Sequence, residues 1–184
     1  MACENNLFIQ IDSLQTRMYF ESILRESDVL FQSFVPLFGT KEECYGTGSD
    51  VYMEYILVDK LQDILKLVFY THETPCIEFC KRLAAKYSVN IQLVYLNEEN
   101  DYSGELQIYR NQITKNDQYS YYQGLYIHEP DDFWEDIEEL FENLDYQNIM
   151  EVLTDKRLIL SENDFLELRS KFNEILLLKQ FKKL

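Results

Sequence analysis

Two runs rich in β-branched and aromatic residues, 51–58 and 64–70, lead directly into the most sharply marked helix start of the chain. Thr74 is a good N-cap, and Pro75 stands at a first helical position, where a missing N–H removes no helical hydrogen bond. Beyond it Cys76, Cys80, Leu83, Ala84 and Tyr87 recur at helical spacing, so a face of small residues is predicted to lie on a sheet. A switch between the two periodicities at one dipeptide restricts the chain to architectures in which helices pack on strands.

The remaining segments fit that plan. Residues 7–11 alternate as a strand with Leu7, Ile9 and Ile11 on one face, and Asp12 and Ser13 offer caps to a helix reaching about residue 25. Residues 29–35 read as a second strand stopped by Pro36, and 37–50 as a loop holding Gly39, Gly46 and Gly48. The runs 51–58 and 64–70 form a hairpin, and 91–95, 105–109 and 119–127 are further strands separated by polar turns at 97–100 and 111–117. After Pro130, Phe133, Ile137, Leu140, Phe141 and Leu144 keep one apolar face of an amphipathic helix. A shorter element at 153–160 precedes a last helix, capped by Ser161 with Asp164 in a capping-box-like place. That helix buries Phe165, Leu168, Phe172, Ile175 and Leu176 and ends in Lys179, Lys182 and Lys183, cations that suit a helix C-terminus. The expected fold is α+β, a ferredoxin-like antiparallel sheet with helices on one face over 1–128, followed by an acidic helical C-terminal extension over 129–184.

Composition supports a packed domain: 46% of the 184 residues are hydrophobic, and a chain of this size buries about 70% of its unfolded surface. Cys3, Cys44, Cys76 and Cys80 form no CxxC pair, and with His72 and His128 as the two histidines they make no metal-ligand array. Cys76 and Cys80 share a helix face as small core residues. The N-terminal segment lacks the basic and apolar regions of a signal peptide, and no stretch approaches the roughly 20 apolar residues of a membrane span. A cytoplasmic protein with no cofactor and no membrane partner is expected.

Scattered positions from Cys3 to about Gln112 resemble the YubB-like ferredoxin-fold proteins of plasmids, prophages and phages. Cys3 and Asn5 match an opening Trp-Cys-x-Asn segment, with Ala2 in place of the Trp. Phe38-Gly39-Thr40-Lys41 matches a Tyr-Gly-x-Lys-Trp-like segment, with Glu42 in place of the Trp. Phe69, Thr71 and Pro75 match Phe-x-Thr-x-Trp-x-Pro, with Glu73 in place of the Trp, and Tyr102-Ser103-Gly104 matches an aromatic-x-Gly pair. The resemblance implies a ferredoxin-like fold and a mobile-element setting, and transfers no catalytic residue.

The net charge is −16, and between Lys115 and Lys156 there is no Lys or Arg. Within that window Asp131, Asp132, Glu135, Asp136, Glu138, Glu139 and Glu142 cluster in one predicted helix, where like charges at three- and four-residue steps cost about 0.2–0.5 kcal/mol per pair. Such a face is either only solvated, or it imitates a phosphate backbone and occupies the basic groove of a nucleic-acid enzyme. On the second reading the partner is a host defence enzyme, a CRISPR effector or restriction nuclease, with Trp134 as an aromatic anchor where it is exposed. The same charge argues against direct DNA binding.

A different class stays open. Tyr95, Tyr102, Tyr109, Tyr119, Tyr121, Tyr122 and Tyr126 crowd the later predicted strands, near Arg110, Lys115 and His128, and could stack RNA bases. An RNA-cleaving site there would use His128, Tyr122 and Glu105 as its catalytic candidates. Cys76 near a helix N-terminus, and Glu42, Glu43 and Asp50 as metal ligands, are weaker possibilities. GxSxG, HExxH, GxxxxGK[ST] and GxGxxG are absent. A homodimer through a C-terminal helix carrying Leu176, Leu177 and Leu178 is a third reading.

Overall fold

A computed structural model describes residues 2–61, 63–142, 160–164, 166–168 and 170, with the backbone alone for 140–142. The chain divides into two compact units, 1–121 and 122–184.

In the first unit, β1 (Ala2–Gln10) begins well before the expected residue 7, because its polar start is hydrogen-bonded into the sheet along its whole length. Ser13 caps α1 (Leu14–Glu26) as expected, its Oγ accepting the Thr16 N–H at 3.3 Å. The segment 29–35 is not a strand. It holds a short helix, α2 (Phe31–Phe34), while Val29 makes an isolated bridge to Tyr52. The reason is tertiary: the two carboxylate oxygens of Asp50 accept the N–H groups of Phe31 and Gln32 at 2.7 and 2.9 Å, capping the helix from 19 and 18 residues away. The expected loop 37–50 contains α3 (Lys41–Tyr45), started by a full capping box between Thr40 and Glu43 and stopped by Gly46 at φ 82°.

The hairpin is present as β2 (Leu57–Leu61) and β3 (Ile64–His72), and a 3-10 turn at 53–55 takes up the middle of the run 51–58 expected as its first strand. The helix after it is α4 (Ile77–Tyr87), with Cys76 rather than Thr74 at the N-cap position, no side-chain cap, and Pro75 just before the helix rather than at its first residue. Thr74 instead donates its hydroxyl to the Gly46 carbonyl at 2.8 Å, and the buried Asn5 Oδ1 accepts the Cys76 N–H at 3.3 Å. Three strands follow, β4 (Asn90–Asn97), β5 (Tyr102–Tyr109) and β6 (Gln112–Tyr119). β6 and the helix after it correct the sequence reading: 112–117 of the expected turn is strand, and 119–127 is largely helix, as α5 (Tyr121–His128). β6 is polar because as an edge strand it is exposed on both faces over most of its length. Its hairpin closes at Arg110 and Asn111, both at positive φ (50° and 62°), the backbone of a two-residue primed turn without its usual glycine.

The described strands form an antiparallel sheet of order β2-β3-β1-β4-β5-β6. The path β1-α1-β2-β3-α4-β4 with neighbours β2-β3-β1-β4 is the ferredoxin-like arrangement, extended by the β5–β6 hairpin. One sheet face carries Leu7, Ile9, Leu65, Leu67, Phe69, Ile91, Leu93 and Leu106, all buried in one core with Phe20, Phe31, Phe34, Tyr45, Phe79, Cys80 and Leu83 of the helices. Ring centroids there lie 4.5 Å apart for Phe31–Phe79 and 4.7 Å for Phe20–Phe34, distances at which aromatic pairs gain beyond their area burial.

The second unit includes α6 (Pro130–Glu142), which buries Phe133 and Ile137. The Tyr126 and Phe133 rings meet at 5.4 Å. Ser161 caps the last described helical residues as expected: its Oγ accepts the Asp164 N–H at 3.2 Å, and Asp164 Oδ2 accepts the Tyr126 hydroxyl at 2.7 Å. Leu168 is buried. Residues 153–159 of the element expected at 153–160, Leu144, the side chains of Leu140 and Phe141, the core residues Phe165, Phe172, Ile175 and Leu176, the leucines 177 and 178 and the terminal lysines lie outside the described residues.

Candidate functional site

α6 sorts its side chains by polarity. Asp131, Asp132, Glu135, Glu138 and Glu139 are exposed and Asp136 is half-buried, while Phe133 and Ile137 are buried. The side chain of Glu142 lies outside the described residues. Asp131 and Asp132 occupy the first turn, where the helix dipole favours anions. Glu135, Glu138 and Glu139 stand at three- and four-residue steps, so the helix gathers negative charge that its own stability disfavours. Trp134 is half-buried, its ring 5.2 Å from that of Phe133 and nearly perpendicular at 74°. It borders the acidic residues and anchors to the apolar side at the same time.

A second constellation lies in the first unit, on the sheet face opposite the core. Glu105 on β5 is 3% exposed. Its carboxylate accepts hydrogen bonds from Gln92 Nε2 at 2.9 Å, from Gln107 Nε2, and from Lys115 Nζ at 2.6 Å. Asp117 sits directly across from Glu105 in the β5–β6 register, a like-charge pairing that costs stability, and Lys115 Nζ offsets it at 3.8 Å from Asp117 Oδ2. The bond to Glu105 raises the Lys115 pKa above its ordinary 10.5. Burial, followed by the bond to Asp117, raises that of Tyr119.

The residues behind the family resemblance converge as architecture. Asn5 Nδ2 donates to the Cys3 carbonyl and to Thr71 Oγ1, both at 2.9 Å, and Asn5 Oδ1 holds the start of α4. The Thr71 hydroxyl donates to the Thr74 carbonyl at 2.6 Å. The Glu73 carbonyl, turned by a positive φ of 62°, accepts from Asn97 Nδ2 at 2.9 Å and from the Tyr102 hydroxyl. Gly104 faces Tyr95, whose hydroxyl a Cβ at that position would strike. These bonds tie β1, β4 and β5 to the passage from β3 into α4. Burial pushes the Cys3 thiol up from 9.0 to about 12 and the Tyr95 hydroxyl up from 10.0 to about 12.

The three catalytic candidates are distributed over both units. Glu105 is the buried carboxylate on β5, whereas Tyr122 and His128 lie half-buried on α5. Their spacing along α5 is not the three or four residues that puts side chains on one helix face. Of the tyrosines expected on strands, Tyr121, Tyr122 and Tyr126 are helical, and Tyr95 belongs to the core. Burial, the largest influence on the Cys76 thiol, raises its pKa, opposite to the lowering a helix N-terminus gives. Glu43 and Asp50 are engaged in capping α3 and α2. Among the described residues no group of three or more His, Cys, Asp or Glu side chains is placed to hold a metal ion. No described helix is long and apolar enough to cross a membrane. Of the Gln92–Glu105–Gln107–Lys115 cluster, Glu105 and Lys115 stand among the residues the sequence singles out, whereas Gln92 and Gln107 join them only through strand pairing.

Comparison with known proteins adds little. No family model matches the chain, and no curated protein matches it. It is similar to a solved structure of protein api92 from Yersinia pseudotuberculosis, of the DUF1281 family, at 20% identity and a TM-score of 0.39 over 44% of this chain. The match spans 29% of that protein's length.

Proposed function

We propose that this protein binds a cationic protein surface through α6, and that the partner is a host nucleic-acid-targeting defence enzyme, a CRISPR effector or restriction nuclease, which it inhibits as a mobile-element accessory protein. The observation that carries the reading is the sorting of α6: five carboxylates exposed over a buried Phe133/Ile137 stripe, in a window without Lys or Arg. Spaced carboxylates on a rigid rod meet the same Arg and Lys groups that a phosphate backbone meets. Trp134 gives the contact an aromatic anchor beside the charges. The mobile-element setting follows from the sequence resemblance and supplies the reason to block such an enzyme.

The test is a guided-nuclease and restriction-nuclease cleavage assay at graded protein concentrations, with guide RNA integrity read on the same gel. Inhibition that sets in near equimolar protein, leaves the guide intact and weakens as salt rises is the expected result. Glu135→Lys with Glu139→Lys should weaken inhibition by on the order of 100-fold. Cleavage of RNA by trace protein, or inhibition indifferent to these reversals, would sink the proposal.

A further inference from the structure

Four carboxamides gather on the sheet face opposite the core, away from α6 in sequence and chemistry. Gln10, Asn90, Gln92 and Gln107 line a cavity of about 220 Å³ together with Phe8 and Tyr109. Two of them are fixed in orientation: Gln92 and Gln107 both donate their amide N–H to Glu105, which leaves their Oε1 atoms as acceptors. At the start of β4, Asn90 Oδ1 accepts the Arg110 backbone N–H at 3.0 Å, and Asn90 Nδ2 donates to Gln10 Oε1 on β1 at 3.3 Å, which leaves Gln10 Nε2 as a donor. The Phe8 and Tyr109 rings also line the cavity, each with a cation over one face, Lys66 Nζ at 5.5 Å and Arg110 at 5.1 Å from the ring centroids.

Stability gives no reason for this arrangement. A buried carboxylate–ammonium pair is often matched or bettered by apolar residues of similar volume, so Glu105 and Lys115 add little that a Leu and a Met would not. What the pair does accomplish is to lock two surface glutamines, and locked hydrogen-bonding groups bind with less entropy loss.

Fixed acceptors, an adjacent donor and flanking ring faces match a planar heterocycle with amide-type edges. Gln and Asn carboxamides read nucleobase edges, and aromatic faces stack on their planes. The volume lies below the roughly 300–1,000 Å³ of drug-sized sites, so one heterocycle fills it. A net charge of −16 repels a polyanion and leaves a neutral ligand unaffected. We infer that this cavity binds a single uncharged nucleobase, presented as a free nucleoside, with Gln10, Asn90, Gln92 and Gln107 reading its edge and Phe8 and Tyr109 bounding its plane. Glu105 and Lys115 are positioning residues in this assignment. It concerns residues other than those of α6 and stands or falls separately from the inhibitor reading.

The experiment is an NMR titration of the full chain with adenosine, guanosine, cytidine and uridine, following side-chain amide resonances to about 5 mM ligand, the weak end of specific affinities. Joint, saturable shifts of the Gln10, Asn90, Gln92 and Gln107 amides with at least one nucleoside are expected. Gln10→Ala and Tyr109→Ala, both at exposed positions, should weaken that binding about tenfold or more at an unchanged urea midpoint. Lys115→Met should weaken it and Lys115→Arg restore it. No shift with any nucleoside, or binding indifferent to Gln10→Ala and Tyr109→Ala, would overturn the assignment. A tetranucleotide that binds these residues more tightly than its nucleoside would also overturn it, and weaker binding supports the neutral ligand.

Discussion

The two faces of the sheet spend the same strands on different physics. On the core face, Leu7, Leu67, Phe69, Leu93 and Leu106 pack against aromatic rings, and order comes from volume and shape. On the opposite face Glu105, Lys115, Gln92 and Gln107 are ordered by charge-assisted hydrogen bonds at fixed distances. The first kind of face tolerates no void. The second tolerates no missing partner.

High pH should produce the largest effect and act mostly on the core face. Cys3, Tyr45 and Tyr95 have folded pKa values raised to about 12 by burial, from 9.0 for the thiol and 10.0 for the hydroxyls. Because the unfolded chain releases these protons first, their contribution is complete below pH 9 and is lost as pH climbs through 9 to 12. Urea midpoints measured against pH, with tyrosinate absorbance in parallel, should fall together over that window. Ionisation of these tyrosines well before unfolding would break the contrast.

Phe31→Ala comes next. Phe31 touches Tyr45, Phe69 and Phe79 with ring centroids 4.5–5.8 Å apart, and its removal leaves a cavity worth about 3–5 kcal/mol in denaturant unfolding. Asn5→Ala should cost about 1–3 kcal/mol, because the buried Cys76 N–H loses its acceptor and the Cys3 carbonyl keeps only the longer bond from Thr71. Hydrogen exchange at the start of α4 should quicken more than elsewhere in that helix.

Lys115→Met sharpens the comparison from the other face. It strips Glu105 of its counter-charge, and because Lys115 keeps 34% of its side chain in water the loss should be about 1–2 kcal/mol, below that of a fully buried pair. The raised Lys115 pKa places this contribution below pH 10.5, and it fades as pH rises past that value, so the variant and the parent should converge at high pH. A variant as unstable as Phe31→Ala would mean that the polar face carries more of the fold than its chemistry implies.

Much of the core face was legible. Leu7, Ile9 and Ile11 alternate, Ser13 announces α1, and Cys80, Leu83 and Ala84 recur as a helical stripe, so the α+β plan follows from periodicity. The capping box of Thr40 and Glu43, with Gly46 after it, is a local signal for α3 that the sequence carries within the segment 37–50. The acidic stripe of α6 was equally plain, since sequence steps fix a helix face. The polar face was not legible, because Gln92, Glu105 and Lys115 come from three strands and meet only through register.

By itself, the sequence determined where apolar periodicity changes, which residues can cap the helices beside them, and where the negative charge accumulates. These depend on neighbours a few positions away. Only the tertiary structure decided that 29–35 turns into α2, because the Asp50 carboxylate that caps it comes from 19 positions along the chain. It likewise decided that the polar run 112–119 is a strand, since a primed turn at Arg110 and Asn111 delivers it to the hydrogen-bonding edge of β5. Burial of Glu105 belongs to the same class. A carboxylate is held out of water only when its partners converge on it, and that convergence exists only once the strands have paired.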